Sequence, residues 1–96
     1  MSRFTVSPRA RGQLRDIYIF GIARFGMDQA ERYRSGLEDC FAILARHPRA
    51  GRLSPSVRKG VRRHEHASHV ILYRETSDGI VILAVLHPRQ LRGLKL

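Results

Sequence analysis

The apolar run Ile80–Leu86, IVILAVL, constrains this chain more than any other stretch. It is too short to span a membrane as a helix, and it is rich in β-branched side chains. Ser77-Asp78-Gly79 bounds it on one side and His87-Pro88 on the other, which marks a strand. A strand apolar on both faces belongs inside a sheet rather than at its edge. The preceding residues supply partners: Ser68–Glu75 reads as a strand and Val61–His66 as another. The Ser-Asp-Gly segment has hairpin turn chemistry, with Gly79 expected to take a positive φ. Arg3–Val6 is a further short strand candidate, with Phe4 and Val6 on one face.

Between that first strand and the other three lie two helical patterns. Ser7-Pro8 reads as a helix start, because a Ser N-cap accepts from free amides and Pro at the first position loses no hydrogen bond. Ala10, Leu14, Ile17, Tyr18, Gly21 and Phe25 then form one apolar stripe. Ile19 falls opposite that stripe, with Phe20 and Ile22 to its sides. A helix with this surplus is either buried on two sides or partnered, and in so short a chain a partner is the favoured reading. Gly26 ends the helix as a left-handed cap, and Asp28 with Glu31 is expected to open the next with a capping box. Ala30, Tyr33, Leu37, Cys40, Phe41 and Leu44 form a second stripe, which places Cys40 as a small buried hydrophobe. His47-Pro48 stops this helix. So short a link makes the pair an antiparallel hairpin. The expected fold is α+β, in the order β-α-α-β-β-β: one domain over residues 1–96, with the helical hairpin packed on a small, mostly antiparallel sheet in two layers.

Residues 46–63 carry seven Lys or Arg and no acid, punctuated by Pro48, Gly51, Pro55 and Gly60, and read as a loop. The chain as a whole holds 18 Lys and Arg against 8 Asp and Glu, a formal net charge of +10. Such an imbalance points to a polyanion, an anionic membrane surface or an acidic protein as partner. Arg58, Arg62, Arg63, Arg74 and Arg89 gather around the strand ends, with Tyr73 and His87 among them. This set could bind a polyanion, stabilise phosphoryl charge, or form a solvated charged rim. A single cysteine excludes an internal disulfide, and neither a signal-peptide pattern nor a membrane span is present, so a cytoplasmic protein is expected.

Several chemistries find no support. His64 and His66 would share a strand face, but His69 has opposite parity and lies past an expected bend, which argues against a metal site. No serine has a nucleophile-elbow context, and no Gly-rich phosphate loop precedes a helix. No cofactor is expected.

In their joint order, these segments resemble the RelE/ParE superfamily of type II toxin–antitoxin toxins, and within it the ParE branch. The carrying stretches are TVSPRARGQLRDIYIFGIARFG at 5–26, DQAERY at 28–33, HPRAGR at 47–52, GVRRHEHASHVILYRE at 60–75 and IVILAVLHPR at 80–89. Two features depart from the usual pattern. Phe25-Gly26 replaces Trp-Gly, and the exit His87-Pro88-Arg89-Gln90-Leu91 lacks the Met and Asp of His-x-Arg-Met-Asp. The resemblance implies a toxin that inhibits DNA gyrase by binding, without catalysis, and that a ParD-like antitoxin neutralises in a hetero-oligomeric complex. The alternative is a RelE-like, ribosome-dependent mRNA endoribonuclease, in which His87 with Arg62 and Arg89 would do acid–base work. RelE-like enzymes typically place a Tyr near the carboxy terminus, whereas the last Tyr here is Tyr73. Under the ParE reading, Arg58, Arg62, Arg63, Tyr73, Arg74, His87 and Arg89 are the expected target-binding residues. Ile19, Phe20 and Ile22 are the expected antitoxin anchors.

Overall fold

The computed structural model describes residues 3–96. In chain order the elements are β1 (Arg3–Val6), α1 (Pro8–Phe25), α2 (Met27–Arg46), β2 (Arg52–Leu53), β3 (Val61–His66), β4 (His69–Thr76), β5 (Gly79–Leu86) and α3 (Pro88–Leu91). They form one five-stranded sheet in the order β1-β5-β4-β3-β2. The β1–β5 pair is parallel and the other three are antiparallel. The apolar run is therefore an interior strand, as its two-faced hydrophobicity requires. Two elements had no clear sequence signal: β2, a two-residue pairing inside the basic connector, and the single turn α3.

One sheet face packs on the helical hairpin. Leu37, Phe41 and Leu44 of α2 and Ala10 of α1 close over Ile71, Tyr73, Ile80, Ile82 and Val85. Phe4 meets Phe41 edge to face at 5.5 Å, a favoured aromatic geometry. The other face buries Val57, Val61, Val70, Leu72, Ala84 and Leu86 beneath Leu91, Leu94 and Leu96. The carboxy-terminal residues are pinned there by Leu96 N–H to the Val57 carbonyl (3.3 Å) and Lys95 Nζ to the Ser56 carbonyl (2.8 Å). The tail thus gives the two layers a thin outer cover, which answers the second apolar face of β5.

The β4–β5 ladder slips at Leu72/Tyr73, leaving Leu83 without a partner in the register. This bulge lies just beyond the last β1–β5 pair, Val6↔Ile82. The start of α1 satisfies the backbone groups exposed there. Ser7 Oγ donates to the Leu83 carbonyl and accepts from Ala10 N–H, both at 3.1 Å, so one side chain closes the bulge and caps the helix. Gln13 Oε1 accepts from Val85 N–H at 2.8 Å.

Local expectations changed at three points. Gly79 lacks a positive φ; it is required because a Cβ there would collide with the Arg3 carbonyl of β1. Gly26 does have a positive φ (91°) but an extended ψ (164°), a region open essentially to glycine alone, and it caps both helices at once. The Asp28–Glu31 capping box does not form, because α2 begins one residue before Asp28 and makes no side-chain cap bond. Asp28 instead contributes negative charge to the first turn.

Candidate partner groove and cationic rim

Between α1, α2 and the start of β4 lies a groove of about 260 Å³. Leu14, Ile17, Phe20 and Phe25 line it from α1, Ala30, Tyr33 and Leu37 from α2, and Ser68 and His69 from the turn and the start of β4, with Tyr18, Gln29 and Arg34 adding polar groups. Phe20 is 62% exposed and Ile19 57%, whereas Ile22 is half-buried. Of the three expected anchors, only Phe20 lines the groove; Ile19 is open to solvent outside it, and Ile22 is partly covered. Phe25, expected in the core stripe, is 58% exposed and joins the groove wall instead. Met27 extends this apolar surface around the hairpin tip. Apolar surface left exposed in this way makes the groove a candidate interaction site.

A polar network ties α1 to α2 beside the groove. Tyr18 donates to Glu31 Oε1 at 2.9 Å, and Arg34 bonds Glu31 at 2.7 Å and Glu38 at 3.3 Å. Arg34 also stacks over the Tyr18 ring, 5.8 Å from its centroid. Hydrogen bonds from Arg34 and then Tyr18 hold the Glu31 carboxyl below its ordinary range.

At the far end of the groove lies a cluster that strand parity alone does not reveal. His66 and His69 are joined by the two-residue turn Ala67-Ser68 and sit directly opposite each other, so they share a sheet face. The expectation that His69 would be separated from the other histidines is thus overturned, because the chain reverses before parity can carry it away. Ala67 pays for that reversal with a φ of 51°, unusual for a residue with a Cβ. Tyr33 of α2 packs against both rings, with centroids 5.7 Å from His66 and 5.5 Å from His69, and its hydroxyl lies 2.6 Å from His69 Nδ1 and 3.4 Å from the His66 carbonyl. Burial, then the neighbouring His87 and His66, push the His69 imidazole below its usual pKa. The sequence pattern begins the second strand at Ser68, leaving only Ala67 between the strands; the structure starts β4 at His69, so a two-residue turn joins them. No described group of three His, Cys, Asp or Glu residues converges as a metal site.

The cationic residues divide. Arg62 and exposed Arg74 line one open recess with Arg49 and Glu75, and Arg62 is oriented by its 2.8 Å bond to the Gly51 carbonyl. His87, Arg89 and Arg92 lie at the other end of the sheet, where Leu86 pairs Val70. At ~3.3 Å per residue, the five steps from His69 to Arg74 separate the two groups by roughly 16 Å. His87 is exposed and caps α3, its Nδ1 accepting from Arg89 N–H at 3.2 Å. Arg58 is exposed on the loop before β3. Arg63 is largely committed internally, bonded to Glu65 at 3.3 Å with its Nε buried.

Tyr73 is not a surface residue. It is fully buried, donates to the Pro48 carbonyl and accepts from Gly51 N–H, both at 2.8 Å. Its place in the target-binding set is therefore corrected: opposite parity from Arg74 turns it under the hairpin, where it ties the basic connector to the sheet. Cys40 is buried, and burial pushes its thiol pKa up, in keeping with a core role. Among the described residues, no helix is long and apolar enough to cross a membrane.

The chain as a whole has known relatives. The family described as "ParE toxin of type II toxin-antitoxin system, parDE" matches residues 4–92. Toxin ParE1 of Mycobacterium tuberculosis is 37% identical over 89 residues, covering 92% of this chain and 91% of that protein. Toxin ParE1 of Caulobacter vibrioides is 34% identical over 87 residues, covering 91% and 90%. A solved structure described as a chromosomal ParDE TA system from P. aeruginosa superposes with a TM-score of 0.75 at 21% identity, covering 91% of this chain and 96% of that one, which shows a shared fold.

Proposed function

The chain belongs to the family of ParE toxins of type II toxin–antitoxin systems, and from that membership we propose that it arrests growth by binding DNA gyrase and is neutralised by an antitoxin seated in the helical groove. The observation that carries the antitoxin assignment is the open apolar groove with Phe20 standing 62% exposed at its wall. A partner segment that is apolar on one face would bury this surface; an acidic opposite face would also complement a chain of net charge +10. Ile19 extends the contact outside the groove, and Ile22 contributes less because it is already half-covered.

The target surface in this reading is the cationic rim, centred on Arg62 and Arg74, with Arg58 beside it and His87 and Arg89 at the opposite sheet end. Arg63 serves mainly to hold Glu65. The proteins named ParE1 and the shared family support a gyrase poison over a ribonuclease.

The test expresses the chain with and without the product of the adjacent reading frame. Expression alone should arrest growth, and purified protein should inhibit supercoiling by gyrase; coexpression should yield a stable complex and restore growth. Phe20→Asp should weaken that complex while the free protein keeps its helical circular dichroism. Cleavage of ribosome-bound mRNA with gyrase left untouched would replace the gyrase reading by the RelE-like one.

A further inference from the structure

The groove is mostly apolar, with Gln29 and Arg34 of α2 among its lining, and its wall also holds a hydrogen-bonded pair, Tyr33 and His69, that burial of an apolar partner does not use. We infer that His69 is the specificity-determining end of the groove: it receives an Asp or Glu side chain of the bound partner segment, and the complex forms with uptake of a proton. This inference rests on the reading of the groove as the antitoxin site.

Three observations support it. First, the Tyr33 hydroxyl occupies Nδ1 of His69 at 2.6 Å, so Nε2 is the nitrogen left to meet a ligand. His69 itself walls the groove.

Second, the site already contains the acceptor that a protonated ring needs. With His69 neutral, Tyr33 donates to Nδ1. With His69 protonated, Nδ1–H donates to the Tyr33 oxygen, and the phenolic proton turns to the His66 carbonyl, 3.4 Å away. Rotation of one hydroxyl switches the pair between states without moving a ring. The turn through Ala67 fixes both histidines opposite each other beside Tyr33.

Third, the surroundings favour an incoming anion. Facing His69 are Tyr33 on α2, His66 on β3, Ser68 in its own turn and His87 after β5, none of which is a carboxylate. Arg34 lines the same groove, and the nearby acid, Glu31, is already bonded to Tyr18 and Arg34. In the free chain, burial, then His87 and His66, push the His69 pKa below its ordinary value and disfavour the protonated ring. A partner carboxylate at Nε2 would reverse that preference, since an opposite charge favours the protonated form.

The sign of the pH dependence separates the possible occupants. A carboxylate raises the His69 pKa on binding, so affinity increases as pH falls, by at most about tenfold per pH unit between the free and bound values. An apolar group would depress the pKa further and weaken binding in acid, and a neutral amide or hydroxyl would give no slope.

The experiment is calorimetric titration of the toxin with the product of the adjacent reading frame at pH 8, 7 and 6, values set about the ordinary His pKa. Buffers of different ionisation enthalpy count the protons. Wild type should bind more tightly as pH falls, with proton uptake, and His69→Gln should lose both the slope and the uptake. Tyr33→Phe, which removes the hydroxyl that accommodates the protonated ring, should reduce the slope and serves if His69→Gln misfolds. A flat or inverted wild-type profile, or a slope retained in His69→Gln, overturns the inference. Phe20→Asp separates the levels: if it leaves affinity unchanged at every pH, the groove assignment itself fails, whereas weakening by Phe20→Asp with a flat wild-type profile removes only the role of His69.

Discussion

Replacing Tyr73 with Phe removes a single oxygen and tests whether this residue anchors the fold or contacts the target. The hydroxyl joins the Pro48 carbonyl to Gly51 N–H, at 2.8 Å on each side, and thereby holds the connector that carries Arg49 and Arg52. Each bond contributes about 1 kcal/mol net. The two lost partners do not fare equally: Pro48 is half-buried and can find water, whereas Gly51 is buried and its N–H is left unsatisfied. The total is about 2–3 kcal/mol. At roughly 4–8 °C per kcal/mol for a domain of this size, the melting temperature should fall by at least about 8 °C. The assay is thermal unfolding followed by circular dichroism, paired with gyrase inhibition measured well below the transition, where activity should match wild type. An unchanged melting temperature together with lost inhibition would refute the reasoning and return Tyr73 to the target surface.

Three other perturbations follow from the same geometry. Gln13→Ala strips the acceptor from Val85 N–H at the bulge and should destabilise the chain by about 1–3 kcal/mol, with faster hydrogen exchange at Val85 in particular. Ala67→Gly removes the side chain from a residue at φ 51° and should stabilise by up to about 1 kcal/mol, read from the urea midpoint at constant m. His69 has a folded pKa depressed below 6.5, so the unfolded chain takes up its proton first as pH falls; stability should be fully present above that value and decline below it, and His69→Gln should flatten that limb of a pH series of urea midpoints.

The six expected elements followed from local pattern because each was specified within a few residues, whereas β2 and α3 were not. Ser7 caps α1 where its position beside Pro8 places it, His47 ends α2, and the run at Ile80–Leu86 sits inside the sheet. Other features depend on pairs distant in sequence. Ser7 and Gln13 show no sign in the sequence that they will complete a bulge more than seventy residues away. Gly79 looked like a turn glycine, and only the parallel arrival of β1 shows that its missing Cβ makes room for Arg3.

The candidate site was legible to the extent that it expressed surplus and hidden where it expressed register. Ile19 and Phe20 stood out because a helix packing one face has no use for them. The cationic set was read as one cluster because charge is counted along the chain, but five residues of extended strand divide it between opposite ends of the sheet. The His66–His69 pair shows the same cause acting in the other direction. Strand parity separates residues three apart, yet a two-residue reversal sets them face to face, because pairing across a hairpin is counted from the turn. That reversal is also the strained one, at Ala67, and it delivers two imidazoles to the only tyrosine of α2. Side chains that stand apart in the sequence therefore become a single hydrogen-bonded unit at the end of an apolar groove, where one proton can change what the groove accepts.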